Sequence, residues 1–231
     1  MKVTLVRHAT LLLETSNGVV LVDPMLRPAG TTPPIENTPN PRPNPLVELP
    51  LPPAEIVAGV DLCIVTHLHS DHFDDAADEV LPRDLPILTQ PESAAALVDR
   101  GFTNVSIRHP SITMTRGRHG TDEIGQAMGP VSGWVVEGVY LAGDTIWCDE
   151  VSDALQRHRP RAIVLNGSGA RFNVGDPIVM DVADVRRVRE ATDVPIAVVH
   201  LEAINHCLEP RSAYRAIEGV HVPADGERIE L

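Results

Sequence analysis

Short apolar runs in the first third of the chain predict β-strands joined by tight turns. Residues 3–6, 10–15 and 19–22 are rich in Val, Leu and Thr, which favour strands over helices. The intervening Ser-Asn-Gly at 16–18 supplies residues that accept the positive φ of a hairpin turn. A further apolar run at 61–65 stops abruptly at a polar cluster. The chain is therefore predicted to begin with β-hairpins.

The later part of the chain alternates apolar runs with stretches of helical periodicity. Strands are predicted at 85–89, 111–115, 162–165 and 195–199, with a hairpin at 134–142. Helices are predicted at 73–80, 92–100, 150–159 and 181–192. Strands that first form hairpins and later alternate with helices favour two mixed β-sheets with helices outside them, an α/β (α+β) arrangement.

Proline interrupts this pattern between residues 24 and 53, where it accounts for eleven of thirty positions. Proline lacks a backbone donor, so this segment is predicted to be a long irregular loop rather than helix or central strand. Loops of this length are lids, binding loops or disordered excursions. We favour a lid beside the functional site, with a mobile surface loop as the alternative.

Length and charge narrow the classes of function. The 231 residues, 43% of them hydrophobic, suit a single domain over 1–231. The formal net charge of −13 opposes binding to nucleic acid or to anionic membrane surfaces. A small-molecule substrate is the expected partner, and a homo-oligomer is compatible with the composition.

The cysteines and the N-terminus indicate a cytoplasmic protein. Cys63, Cys148 and Cys207 are odd in number and lack CxxC spacing, which is typical of thiols in a reducing compartment. The first eight residues do not form the apolar centre of a signal peptide, and no run approaches the roughly 18 apolar residues of a membrane span.

Ligand-type side chains follow the apolar run at 61–65 in the stretch Thr-His-Leu-His-Ser-Asp-His at 66–72. His67 and His69 alternate and can point the same way. Imidazole nitrogens and carboxylate oxygens suit zinc and related divalent ions. The stretch therefore predicts a metal site in the loop beyond the strand, with zinc expected first and manganese or iron as alternatives.

Three more candidate ligands, His119, Asp144 and His200, each follow a predicted strand and could complete two neighbouring metal sites. Together with the cluster at 66–72, this order of residues resembles the metallo-β-lactamase superfamily. The pairs His8-Ala9 and Asp23-Pro24 and the Gly-Asp-Thr at 143–145 resemble its compact branch that includes L-ascorbate-6-phosphate lactonase.

The resemblance implies an αββα sandwich with metal ions at one edge. It assigns His67, His69 and His119 to one metal position and Asp71, His72 and His200 to the other. It assigns Asp144 to both positions, as the bridge. Some members of the branch bind one ion, so one or two divalent ions are expected.

The expected activity is hydrolysis of an ester, lactone or phosphoester bond by a metal-bound hydroxide. Asp71 is the candidate catalytic residue, since a carboxylate beside the metal can orient the nucleophile and move its proton. Two alternatives stay open: an iron-dependent oxygenase or other oxidoreductase with the same ligands, and a non-catalytic binding module stabilised by metal.

Four further residues are candidates for roles around the ligands or the substrate. Asp23 is expected to accept a hydrogen bond from a ligand imidazole. His8 is either a pocket residue or a buried strand histidine, and His206 either contacts ligand or substrate or lies on a helix surface. Arg171 either grips an anionic group of the substrate or forms a salt bridge.

Overall fold

Two β-sheets pack face to face in the computed structural model, which describes residues 1–231 apart from the side chain of Asp122. The strands are β1 (Lys2–Arg7), β2 (Thr10–Thr15), β3 (Gly18–Val22), β4 (Val60–Val65), β5 (Ile87–Thr89), β6 (Val105–Ser106), β7 (Ile112–Arg116), β8 (Ser132–Val136), β9 (Val139–Leu141), β10 (Ala162–Asn166), β11 (Ile196–Val199), β12 (Val220–His221) and β13 (Arg228–Glu230). The helices are α1 (Pro53–Val57), α2 (Asp75–Val80), α3 (Pro91–Asp99), α4 (Asp122–Met128), α5 (Asp149–His158), α6 (Val182–Ala191) and α7 (Arg211–Arg215).

Both sheets are mixed, as the sequence pattern predicts. One has the order β13-β1-β2-β3-β4-β5-β6, and its pairing changes from antiparallel to parallel at β3–β4. The other has the order β12-β11-β10-β9-β8-β7, and the change comes at β9–β10. The parallel strands of each sheet end at one edge, so the residues that follow them can meet there.

Three apolar layers hold the sandwich together. The central layer lies between the sheets and contains Trp134, Leu13 and Ile64, all fully buried. The outer layers pack helices on the far face of each sheet, with Leu97 of α3 on one side and Val185 of α6 on the other. The αββα arrangement implied by the resemblance is confirmed.

The local pattern located the longer elements well and missed short ones. The turn at 16–18 connects β2 to β3, and the Asp181 side chain caps α6 by accepting from the Asp184 backbone N–H at 2.9 Å. The elements that the pattern missed are short or irregular: α1, α4, α7, β6, β12 and β13. Most of these span only two to five residues, too few to display a period.

The proline-rich segment is irregular before α1 and packs against the body of the protein. Met25 and Leu26 are buried, and an isolated bridge joins Thr32 to Asn44. The buried guanidinium of Arg7 donates to the Met25 carbonyl at 2.7 Å and to the Val47 carbonyl at 3.0 Å. The segment therefore begins and ends on fixed contacts.

None of the helices in the described part of the chain is long and apolar enough to span a membrane.

Replacing Trp134 by alanine should lower the free energy of unfolding by about 3–5 kcal/mol, because the indole is fully buried between the two sheets. Urea denaturation followed by circular dichroism measures the change. Trp147→Ala is the matched control, since that indole is only partly buried beside the outer layer and should cost less. Equal losses for both variants would contradict the role given to the central layer.

Candidate metal centre

Strand ends bring the predicted ligands to one edge of the sandwich. The loop 66–72 follows β4, His119 follows β7, and Asp144 follows β9. His200 follows β11, and its backbone N–H donates to the His8 carbonyl at 2.8 Å. Residues that are distant in sequence therefore meet in one cluster.

A tight turn folds the loop after β4. The backbone N–H groups of His72 and Phe73 donate to the His69 carbonyl at 2.9 and 3.0 Å. Asp74 then caps α2 by accepting from the Ala77 backbone N–H at 2.9 Å. The turn and the cap together direct the imidazoles of the loop toward the sandwich edge.

Three imidazoles form the first group of candidate ligands. The His69 Nδ1 lies 2.9 Å from the His67 Nε2 and 3.3 Å from the His119 Nε2. His67 and His119 are buried, and His69 is partly exposed. Three nitrogens this close together form a set that one cation can satisfy.

A second group contains Asp71, His72 and His200, and His8 joins it. The Asp71 Oδ2 lies 3.3 Å from the His8 Nε2 and 3.8 Å from the His200 Nε2. The rings of His8 and His200 have centroids 3.6 Å apart. His8 is thus in contact with the predicted ligands, although the chain order alone does not show it.

Asp144 lies between the two groups. Its Oδ2 is 3.1 Å from the His72 Nε2, 3.4 Å from the His200 Nε2 and 3.7 Å from the His119 Nε2. Its Oδ1 accepts from the Asn166 side-chain amide at 2.7 Å. One oxygen is therefore anchored to the protein, and the other faces both groups.

The other nitrogen of four of these imidazoles meets a protein atom. The contacts are His67 Nδ1 to Thr66 Oγ1 at 3.0 Å, His72 Nδ1 to Asp23 Oδ2 at 2.8 Å, His119 Nδ1 to the Ile178 carbonyl at 2.8 Å, and His200 Nδ1 to Ser168 Oγ at 3.3 Å. Such contacts fix ring orientation and leave Nε2 free to bind a cation. The Asp23 carboxylate also accepts from the Thr66 backbone N–H at 2.8 Å, which holds it in place.

The charges of the centre suit a divalent cation. Burial alone would raise the pKa of Asp144, but His200 and His72 beside it hold that pKa well below its usual range. Burial is likewise outweighed at Asp71, where His72 and His8 keep the pKa well below its usual range. Among the described side chains, the buried Nε2 atoms of His72 and His200 lie near the Asp144 Oδ2 but have no partner in hydrogen-bonding geometry. Two carboxylates and the imidazole nitrogens of the two groups fit one or two divalent ions.

His206 and Arg171 differ in their relation to the centre. His206 is buried, which excludes the helix-surface alternative; burial lowers its pKa to about 4, although Asp71 opposes the shift. Its Nδ1 has no partner among the described atoms. The Arg171 guanidinium lies 4.0 Å from Glu209, and its Nε donates to the Gly169 carbonyl at 3.2 Å. The Arg171 guanidinium therefore lies near a carboxylate of the protein, and its role in holding an anionic group of the substrate stays a prediction.

Three contacts to the candidate ligands were not predicted from the sequence. Asn166 lies at the end of β10, so the same strand-end rule that located Asp144 would have found it. Ser168 lies just beyond that strand and could have been found in the same way. The Ile178 carbonyl is a backbone atom in an irregular segment, for which no residue type serves as a marker.

Comparisons with known proteins place this arrangement in a family. A family model described as the Beta-lactamase superfamily domain matches residues 2–164. The UPF0173 protein YddR of Bacillus subtilis is 36% identical, covering 98% of each chain. An isothiocyanate hydrolase from Delia radicum gut bacteria superposes with a TM-score of 0.94 at 33% identity, covering 100% of this chain and 99% of that one. A possible metal-dependent hydrolase from Veillonella parvula has a TM-score of 0.93, also at 33% identity, with the same coverage.

Asp23→Asn should weaken metal binding about 10–100-fold, because the His72 imidazole loses its charged acceptor. Competition with a chromophoric chelator measures the affinity. Asp84→Asn changes an exposed carboxylate in the same way and should leave the affinity unchanged. Wild-type affinity in Asp23→Asn would show that this contact does not support the centre.

Removing metal should lower the melting temperature, because two buried carboxylates then lose the cation that offsets their charge. Zinc at about 1,000 times its dissociation constant should restore roughly 4 kcal/mol of stability. Differential scanning calorimetry before and after dialysis against a chelator gives the shift. Identical melting curves would mean that cation binding and folding are not coupled.

Proposed function

Because this chain belongs to the metallo-β-lactamase superfamily, we propose that it hydrolyses small molecules at a centre of one or two divalent metal ions. The observation that carries the proposal is the position of Asp144, whose free Oδ2 lies within 3.7 Å of imidazoles from both groups of ligands. A buried donor set of this kind is costly to maintain without a cation. This cost in stability is explained if the side chains bind a cation that takes part in catalysis.

The proposed ligand sets follow the two groups of side chains. They are His67, His69 and His119 for one position, Asp71, His72 and His200 for the other, and Asp144 for both. Zinc is the expected ion, with manganese or iron as alternatives. A bound divalent ion supplies Lewis acidity, which lowers the pKa of water and polarises the acceptor atom of the substrate.

Asp71 is the proposed catalytic residue. Its carboxylate would orient the attacking water and accept its proton, because it lies within the candidate ligand cluster of one metal position. His8 would hold this carboxylate in place from its Nε2, 3.3 Å away. Asp23 would orient the His72 ring by accepting a hydrogen bond from its Nδ1.

His206 is proposed to face the substrate. The ring is buried, and its electrostatic neighbours Asp71 and His200 both belong to the centre. An imidazole with an unpartnered nitrogen can donate a hydrogen bond to a substrate oxygen or leaving group. Its role would be to position the substrate rather than to bind metal.

Two classes of scissile bond are candidates. The ligand set suits an ester, lactone or phosphoester, whose oxygen the cation can polarise. The second candidate is an isothiocyanate, which would be attacked at its central carbon. It is supported by the solved isothiocyanate hydrolase, which is similar to this chain over its whole length. Both classes present an electrophilic centre to the same nucleophile.

Metal content and a substrate panel test the proposal together. Protein purified without a chelator is analysed for ions per chain and then assayed with 4-nitrophenyl acetate, bis(4-nitrophenyl) phosphate, a simple lactone and benzyl isothiocyanate. Turnover that is lost with chelator and restored by zinc or manganese is the expected result. Oxygen consumption by an iron-only preparation would favour an oxygenase, and ligand binding without turnover would favour a binding module.

Asp71→Asn should reduce kcat/KM by about 10²–10⁴-fold, because the amide cannot accept the proton of the attacking water. Steady-state kinetics on metal-loaded protein, with ions per chain measured for each variant, separates this loss from loss of metal. Asp99→Asn, on the exposed end of α3, is the control and should keep wild-type turnover. Undiminished kcat/KM in Asp71→Asn would refute the assignment.

A further inference from the structure

A cavity of about 440 Å³ lies beside the candidate metal centre, between the proline-rich segment and the loop that carries Asp71. Ser70 and Asp71 form one side of it, and Met25 and Ile35 come from the proline-rich segment. The volume is in the range of about 300–1,000 Å³ that is usual for small-molecule sites. Asp71 lines the cavity and also belongs to the centre, so the cavity reaches the edge of the centre.

The wall formed by the proline-rich segment is fixed by the side chain of Asn205. The Asn205 Oδ1 accepts from the Ile35 backbone N–H at 3.0 Å and from the Asn44 side-chain amide at 2.8 Å. Its Nδ2 donates to the Ile35 carbonyl at 3.0 Å and to the Asn40 carbonyl at 2.8 Å. Arg7 holds Met25 through its carbonyl at 2.7 Å. The cavity is therefore preformed, which reduces the entropy cost of binding.

The lining mixes apolar and ionisable side chains, and most of the ionisable ones have partners within the protein. The Arg27 guanidinium pairs with Asp75 at 2.5 Å. The Asp74 carboxylate accepts backbone N–H bonds from Arg27 at 2.7 Å and from Ala77 at 2.9 Å. An ionic ligand would have to compete with these partners, although the Arg27–Asp75 pair is solvent-exposed and therefore weak.

Apolar side chains form a further part of the lining. Met25 packs against Ile204 and Ile35, and all three line the cavity. Phe73 contributes an aromatic ring, with the Arg100 guanidinium 5.4 Å from its centroid. The chain's net charge of −13 further disfavours an anion. An uncharged hydrocarbon group matches this surface.

We propose that the cavity binds an uncharged apolar substituent of the substrate, with Ile35 and Ile204 limiting its length, while the bond to be cleaved lies at Asp71. The inference rests on the proposed hydrolytic function and adds the class of substrate: small molecules with an alkyl or aryl group next to the reactive carbon. Esters and isothiocyanates with such groups share this chemistry.

Chain-length series test the cavity. Metal-loaded protein is assayed with 4-nitrophenyl esters from acetate to octanoate and with alkyl isothiocyanates of matching length. KM should fall about fourfold for each added methylene until the cavity is full, because each buried CH₂ contributes roughly 0.8 kcal/mol of binding free energy. Ile35→Trp fills the space and should bring the acetate-to-hexanoate ratio of KM values towards one. Ile107→Trp makes the same change at an exposed position and should keep the wild-type ratio.

Binding without turnover is measured separately. The protein with ¹³C-labelled methyl groups is titrated with n-hexanol, and the signals of Met25, Ile35 and Ile204 should shift while Ile107 does not. Selective shifts in a protein that hydrolyses nothing in the panel would overturn the proposed function and support the cavity as an apolar site. In an active enzyme, KM values independent of chain length, or lower for an ester ending in a carboxylate, would overturn the cavity assignment alone.

Discussion

Burial of ionisable side chains at one edge of the sandwich is the constraint on which the rest of the molecule depends. Six of the seven candidate ligands are buried, and only His69 is partly exposed. Two carboxylates kept ionised in such a place require compensating positive charge, which protonated imidazoles supply without a metal and a bound cation would supply in their place. The apolar layer between the two sheets contributes the stability that offsets the cost of this arrangement.

The backbone at the centre is unusual for the same reason. His8, Asp23 and His200 all have positive φ values, between 44° and 66°, which non-glycine residues rarely adopt. Each lies just beyond a strand, where the chain turns sharply to deliver a side chain to the cluster. Strain of this kind concentrates at functional sites because the surrounding structure holds it in place.

The proline-rich segment connects the centre to its surroundings. Proline restricts the backbone and removes donors, so the segment relies on side chains elsewhere for hydrogen bonds. Arg7 and the amide of Asn205 supply them. Asn205 is also the neighbour of Ile204 and His206, so a single short stretch after β11 anchors the segment, lines the cavity and approaches the metal centre.

The sequence by itself determined the two mixed sheets, the longer helices and the clustering of His67, Asp144 and His200, because strand periodicity is local and strand ends of a sheet converge. The tertiary structure decided which atoms face one another: that His8 meets Asp71, that Asn166 anchors Asp144, and that Arg171 pairs with Glu209. It also decided that the proline-rich segment packs as a wall. These contacts join residues far apart in the chain, and no local pattern encodes a distance between them.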